Sequence, residues 1–126
     1  MLASQADIST DESPPLSPAE APLDLAHLFR MTLGDSKLER EVLTLFDRQL
    51  DLLIARMDAQ SHATAAAVAH TLCGSARGIG AWRVARAAED VERVALGRGD
   101  LEDRISSLRD AACEAHAAIA VLLHRG

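Results

Sequence analysis

The amino-acid sequence predicts an all-α fold, an antiparallel up-down four-helix bundle with a short extra N-terminal helix. Hydrophobic residues make up 48% of the 126 residues but aromatic residues only 2%. The Ala- and Leu-rich remainder suits closely packed helices, whereas sheets favour β-branched and aromatic residues. All four prolines lie within the first 22 residues. Beyond them, apolar residues recur at intervals of three and four, the period of an amphipathic helix.

The first 22 residues differ in composition from the rest of the chain. They are rich in Ser, Asp and Pro and contain little that could fill a core. Such a segment cannot offset the entropy lost on ordering by burying apolar surface. We therefore predict a disordered, acidic and Pro-rich tail over residues 1–22 and a single bundle over residues 23–126.

Five helices are expected in residues 23–126. The first runs from Leu23 to about Met31, and the second is capped by Asp35 or Ser36 and ends near Ala59. The first helix has a predicted apolar face of Leu25, Leu28 and Phe29. The second has the strongest periodicity, and its predicted core-facing residues are Leu38, Val42, Leu45, Phe46, Leu50, Leu53 and Met57.

The three remaining helices are separated by glycines and polar caps. The predicted ranges are Ser61 to Ile79 or Gly80, Ala81 to the Gly97–Gly99 pair, and Leu101 to His124 with Asp100 as its cap. The apolar stripe of the last helix is Ile105, Leu108, Ala112, Ala115, Ile119 and Leu122. Connections this short make neighbouring helices antiparallel.

Charge and composition exclude several classes of function. The net charge is −6, with 13 basic against 19 acidic residues, which argues against a general nucleic-acid binder. No apolar run approaches the ~20 residues of a membrane span, and the N-terminus lacks a signal-peptide pattern. Cys73 and Cys113 lie in predicted helices and suggest no disulfide framework. We expect a reduced, cytoplasmic protein.

His70 is the candidate functional residue of the third helix. The predicted inward stripe of that helix is Ala65, Ala69, Leu72, Ala76 and Ile79. At 100° per residue, His70 lies ~200° from Leu72 and should face solvent. Ala66, Cys73, Gly74 and Arg77 are expected on the same face as His70.

The surroundings of His70 are unusual for an exposed helix face, which normally carries long polar side chains. Gly74 and Gly78 each cost ~1 kcal/mol relative to Ala in a helix interior. Close approach of another molecule beside His70 would offset that cost. The alternative is an ordinary surface histidine, with the glycines allowing tight helix packing.

A family resemblance indicates which chemistry the face around His70 performs. The run from His70 to Ala76 (HTLCGSA), followed by Ile79-Gly80-Ala81, resembles the signature of the histidine phosphotransfer (HPt) family. The segments Ala87–Glu92 and Glu41–Phe46 are similar to neighbouring helices of that family. The resemblance extends roughly from Leu23 to Leu123.

The resemblance implies a phosphohistidine carrier without a catalytic domain. Such a carrier accepts a phosphoryl group on His70 from a receiver-domain aspartate or a kinase and passes it to another receiver. Expected partners are a response-regulator receiver domain, a hybrid histidine kinase, or both, and neither nucleic acid nor membrane. The chain needs no cofactor of its own, since Mg²⁺ is expected on the receiver, and works as a monomer. Cys73, Gly74 and Arg77 are predicted to support the phosphoryl site, and the predicted docking residues are Ala66, Gly74, Arg77, Gly78 and Arg83.

One position departs from the family pattern. The third residue after the histidine is usually lysine, and here it is Cys73, whose thiol supplies no positive charge. Arg77 lies ~20° off the line of His70 along the helix and is a candidate substitute cation; the alternative is a solvated helix residue. His70 and Cys73 have i, i+3 spacing, but two ligands from one helix do not make a metal site, and we predict none.

Two other functions remain open on the sequence. A non-transferring pseudo-HPt bundle would dock on a kinase or response regulator without passing phosphate, and the missing lysine is its support. A histidine-kinase dimerisation domain also presents a histidine, but an acidic residue normally follows it, and here Thr71 does.

We further expect Trp82 to be a packing anchor. The nearby arginines Arg83, Arg86, Arg93 and Arg98 form either a docking strip or ion pairs along their own helix.

Overall fold

A computed structural model describes residues 20–57 and 61–125 of the chain. Within them are five helices and no strand: α1 (Leu25–Met31), α2 (Ser36–Arg56), α3 (His62–Ile79), α4 (Trp82–Leu96) and α5 (Leu101–His124). The predicted all-α class and the predicted number of helices are confirmed. The predicted disordered tail, and the end of the second helix near Ala59, fall almost wholly outside the described residues.

The four longer helices contact one another in a closed ring. α3 packs against α2 and α4, α5 packs against α4 and α2, and the short α1 lies against α3. One hydrophobic core fills the ring. Its largest fully buried side chains include Leu43, Leu50, Leu72, Leu108 and Ile119. Buried alanines at many other positions of α3 and α4 allow those two helices to approach closely.

Polar residues begin the helices where the sequence predicted them. The Asp35 carboxylate accepts hydrogen bonds from the backbone N–H groups of Lys37 and Leu38 at 2.9 and 3.1 Å. The Asp100 carboxylate accepts one from the N–H of Asp103 at 3.1 Å. These bonds satisfy N–H groups that the first turn of a helix leaves without partners, and they fix the starts of α2 and α5.

Two predicted apolar faces are wrong in part. In α1 only Leu28 is buried, whereas Leu25 and Phe29 are exposed, because a helix of two turns that packs mainly against α3 can bury one side chain well. In α2 the prediction placed Leu38 and Leu45 in the core, but they are exposed. The predicted burial of Phe46, Leu50, Leu53 and Met57 is confirmed, and Leu43 and Ile54, which the prediction did not include, are buried as well.

The start of α1 is bonded to the turn between α3 and α4. The backbone N–H of Asp24 donates to the Gly80 carbonyl at 2.9 Å, and the Asp24 carboxylate accepts from Nε1 of Trp82 at 2.9 Å. The ring of His27 lies edge-on to that indole, with centroids 4.9 Å apart. Trp82 is thus a packing anchor, as predicted, and its hydrogen bond is the main reason that the pKa of Asp24 is lowered.

Gly80 is required by this arrangement. It ends α3 in the left-handed conformation at φ +87°, which favours glycine. A Cβ at this position would lie 3.1 Å from the Asp24 carbonyl oxygen and 3.1 Å from Cδ2 of His27. The turn after the histidine helix therefore depends on glycine both for its backbone conformation and for the approach of α1.

His116 joins α5 to α2. Its Nδ1 is hydrogen-bonded to the carboxylate of Asp47, and its Nε2 lies 2.9 Å from Oδ1 of Asp51. Burial of the ring favours the neutral form, but hydrogen bonds to the two carboxylates outweigh it and raise the pKa of His116. This role of His116 was not predicted from the sequence, although the i, i+4 spacing of Asp47 and Asp51 on α2 was an available signal.

Within the described ranges, none of the helices combines the length and the apolarity that a membrane span requires.

Candidate functional site: an exposed histidine on α3

His70 projects from the middle of α3 into solvent. The five residues predicted to face inward on this helix are all buried: Ala65, Ala69, Leu72, Ala76 and Ile79. The His70 side chain is 77% exposed. The predicted orientation of the histidine is confirmed, and its ring is accessible to a partner.

One nitrogen of the exposed ring is bonded to the neighbouring helix. Nδ1 of His70 lies 3.1 and 3.3 Å from the two carboxylate oxygens of Glu92 on α4. An ionised carboxylate has no proton to donate, so this hydrogen bond requires the proton on Nδ1 of the neutral ring. The Nε2 lone pair is then free and directed away from Glu92.

Glu92 reaches His70 because α4 follows α3 after a short turn and packs against it. Ala81 lies in the turn, and His70 and Glu92 each lie eleven residues from it along the sequence. In an antiparallel pair with so short a turn, such residues stand at about the same height. Glu92 lies in a segment that resembles the family, but its contact with His70 was not predicted, although the predicted helix boundaries were sufficient for it.

Cys73 and Ala66 do not share the exposed face with His70. Both side chains are buried, since α4 covers that flank of α3. Burial raises the pKa of the Cys73 thiol, against the opposing effect of Arg77. The placement of these two residues on an open surface was therefore wrong, while their roles in phosphoryl support and docking stay predictions.

The two glycines border open space. A Cβ added to Gly74 or to Gly78 would meet no atom within 4 Å apart from its chain neighbours and the backbone of its own helix. Tight helix packing, the alternative explanation for these residues, does not apply to them. Gly74, one turn from His70, is exposed, so a flat patch of backbone lies beside the imidazole.

Arg77 also contacts α4. Its guanidinium donates to Oε2 of Glu89 at 2.9 Å, and about half of each side chain is exposed. This bond holds the arginine on the α4 side of the histidine face, and an exposed ion pair of this kind is weak enough to rearrange. Arg77 remains the candidate substitute cation, now with a known resting partner.

The predicted basic strip on α4 is largely occupied by ion pairs. Arg83 pairs with Glu114 of α5 at 3.0 Å, and Arg93 pairs with Asp90 on its own helix. Arg83 therefore joins two helices and does not present a free charge. Its role as a docking residue stays a prediction.

A helical bundle that exposes a histidine in the middle of a helix, with one ring nitrogen held by a carboxylate and flat backbone beside it, belongs to the class of histidine-bearing helical modules. The family model of the Hpt domain matches residues 38–124. The chain belongs to the Hpt domain family, and the resemblance seen in the sequence is confirmed. Hpt domains serve in histidine phosphotransfer. Searches of curated proteins and of solved structures gave no match.

Proposed function

We propose that His70 accepts a phosphoryl group from the aspartyl phosphate of a receiver domain, or from a kinase, and passes it to another receiver domain. The observation that carries this proposal is the hydrogen bond between Nδ1 of His70 and Glu92. It selects the ring nitrogen that reacts and leaves that nitrogen exposed.

The transfer conserves atoms and charge. The Nε2 lone pair attacks phosphorus, the P–Nε2 bond forms, and the bond from phosphorus to the aspartate oxygen breaks. The bonding electrons leave with the aspartate carboxylate. The imidazole then carries positive charge, with the proton still on Nδ1 and donated in a hydrogen bond to the Glu92 carboxylate, and that carboxylate stabilises the charge. Return transfer to a second aspartate reverses these steps.

The residues around His70 give the partner's active site access to the imidazole more than they supply positive charge to the phosphoryl group. The absence of a side chain at Gly74 admits the partner's active site to the imidazole. Mg²⁺ on the receiver neutralises the phosphoryl oxygens when it is bound. Arg77 can leave Glu89 and approach the phosphoryl group, in the place of the lysine that the family pattern has at Cys73.

We infer that the four longer helices form an antiparallel up-down bundle with α1 as an additional helix. The pairing of His70 with Glu92 and of Arg77 with Glu89 supports opposite directions for α3 and α4. All residues of the candidate site then come from one helical hairpin. A single chain is sufficient for transfer.

The test is phosphotransfer from a phosphorylated receiver domain to the 126-residue chain. We expect label that is stable in alkali and labile in acid, and that is absent from His70→Ala. Glu92→Gln should still be labelled on His70 but roughly ten-fold more slowly, because its amide no longer stabilises the charged ring. Glu89→Gln is the matched control, since Glu89 lies on the same helix and contacts Arg77.

Two outcomes would contradict the proposal. Label on the His70→Ala variant would place the acceptor elsewhere. No label from any of several receivers and kinases would favour the docking-only alternative, in which the bundle binds a kinase or response regulator without transfer. Equal rates for Glu92→Gln and the native chain would remove the role given to Glu92.

A further inference from the structure

The outer face of α2 carries a row of side chains that the bundle does not use. We name this the α2 stripe; its members are Leu38, Glu41, Leu45, Arg48, Leu52 and Ala55. They follow one another at steps of three and four residues, so they lie along one side of the helix. Leu45 and Leu52 are 65% and 66% exposed, and Leu38 is 37% exposed. Single exposed leucines are ordinary, but three with seven-residue spacing form one seam of the kind that pairs with another helix.

The charges of the stripe are unpaired within the described part of the chain. Neither Glu41 nor Arg48 makes an ion pair or a side-chain hydrogen bond there, although both are exposed. They lie seven residues apart, with Leu45 between them. A negative and a positive charge are therefore held about one helical turn on either side of one apolar residue, about 10 Å apart along the helix.

The α2 stripe is complementary to a second copy of itself that runs in the opposite direction. When a second α2 lies antiparallel with the two-fold axis near Leu45, residues whose numbers sum to about 90 stand opposite each other. Leu38 then meets Leu52 of the other copy, Leu45 meets its counterpart, and Glu41 faces Arg48 twice. In a parallel pair Glu41 would face Glu41 and Arg48 would face Arg48, which is repulsive.

We propose that the α2 stripe is a self-association surface on which two copies of this chain pair antiparallel about a two-fold axis. One helix face is smaller than the ~800 Å² per partner of a standard stable complex. The dimer is therefore weak and forms in a concentration-dependent manner. It uses no residue of the transfer site, because His70 lies on α3 and bonds to α4. The proposal revises the monomer expected from the sequence and does not depend on the proposed function.

The decisive measurement is sedimentation velocity of the full 126-residue chain from micromolar to near-millimolar concentration. We expect the sedimentation coefficient to rise with concentration from that of a monomer towards that of a dimer. Leu45→Glu should weaken dimerisation at least ten-fold by placing two carboxylates at the axis. Leu96→Glu is the matched control, since Leu96 is also an exposed helical leucine but lies on α4. Circular dichroism of each variant should show unchanged helix content, because neither position is in the core.

A charge exchange tests the direction of pairing. Glu41→Arg and Arg48→Glu should each weaken the dimer roughly ten-fold, since each turns two attractive contacts into repulsive ones. The double variant should recover most of the native affinity. A native chain that stays monomeric at every concentration overturns the proposal, as does equal weakening by Leu96→Glu. A double variant no tighter than the singles overturns the antiparallel pairing.

Discussion

Replacing Gly74 with alanine should stabilise the protein and impair its transfer. Gly74 lies inside α3, so alanine gains about 0.8–1.0 kcal/mol of helix propensity. Nothing offsets that gain, because the added Cβ would meet no atom within 4 Å. For a domain of about 100 residues, this free energy raises Tm by roughly 4 °C. The same methyl group projects into the space that a receiver must enter to reach His70, and a misplacement of about 1 Å can slow a reaction up to ~100-fold.

The assay is thermal unfolding paired with receiver-to-His70 transfer on the same preparations. We expect a higher Tm together with transfer slowed at least ten-fold. Gly78→Ala is the matched control: its added methyl also meets open space, but it lies about 6 Å farther along α3 from His70. Its effect on transfer should be smaller. If Gly74→Ala raises Tm and transfers at the native rate, then the glycine does not serve access. If Tm does not rise, the stability argument is wrong.

Three further substitutions test other contacts. Arg77→Ala should reduce the transfer rate and the phosphohistidine lifetime several-fold; if both are unchanged, Arg77 does not replace the missing lysine. The raised pKa of His116 means that its ion pairs stabilise the fold fully below about pH 6.5 and less as pH rises through the folded-state pKa. His116→Gln should therefore lose about 1 kcal/mol in urea unfolding near pH 6 and less near pH 8, and an equal loss at the two pH values would contradict this. Trp82→Phe should cost about 1–2 kcal/mol by removing the hydrogen bond to Asp24, and a thermal midpoint equal to that of the native chain would contradict this.

The sequence was sufficient for properties that depend on one helix at a time. The orientation of His70 follows from the helical angle between it and the buried Leu72, and the caps at Asp35 and Asp100 follow from local hydrogen bonding. The longer helices were predicted nearly in full because their apolar residues recur over several turns.

Errors arose where a neighbouring helix decides the outcome. Cys73 lies only ~60° from His70 around α3, and it is buried because α4 covers that side. Periodicity likewise assigned Leu45 to the core, although the neighbours of α2 lie along a different side. The bond between His70 and Glu92 depends on the relative height of two helices, and the sequence contains that information only once the turn at Ala81 is fixed.

The bonds between the start of α1 and the α3–α4 turn bear on where this domain begins. The family match starts at residue 38, but Asp24 already binds Gly80 and Trp82. A fragment cut to the family boundaries would leave the Gly80 carbonyl and the indole N–H without their partners. The folded unit therefore begins at least fourteen residues before residue 38. A protein fused directly before Asp24 would be attached next to the end of the helix that carries His70.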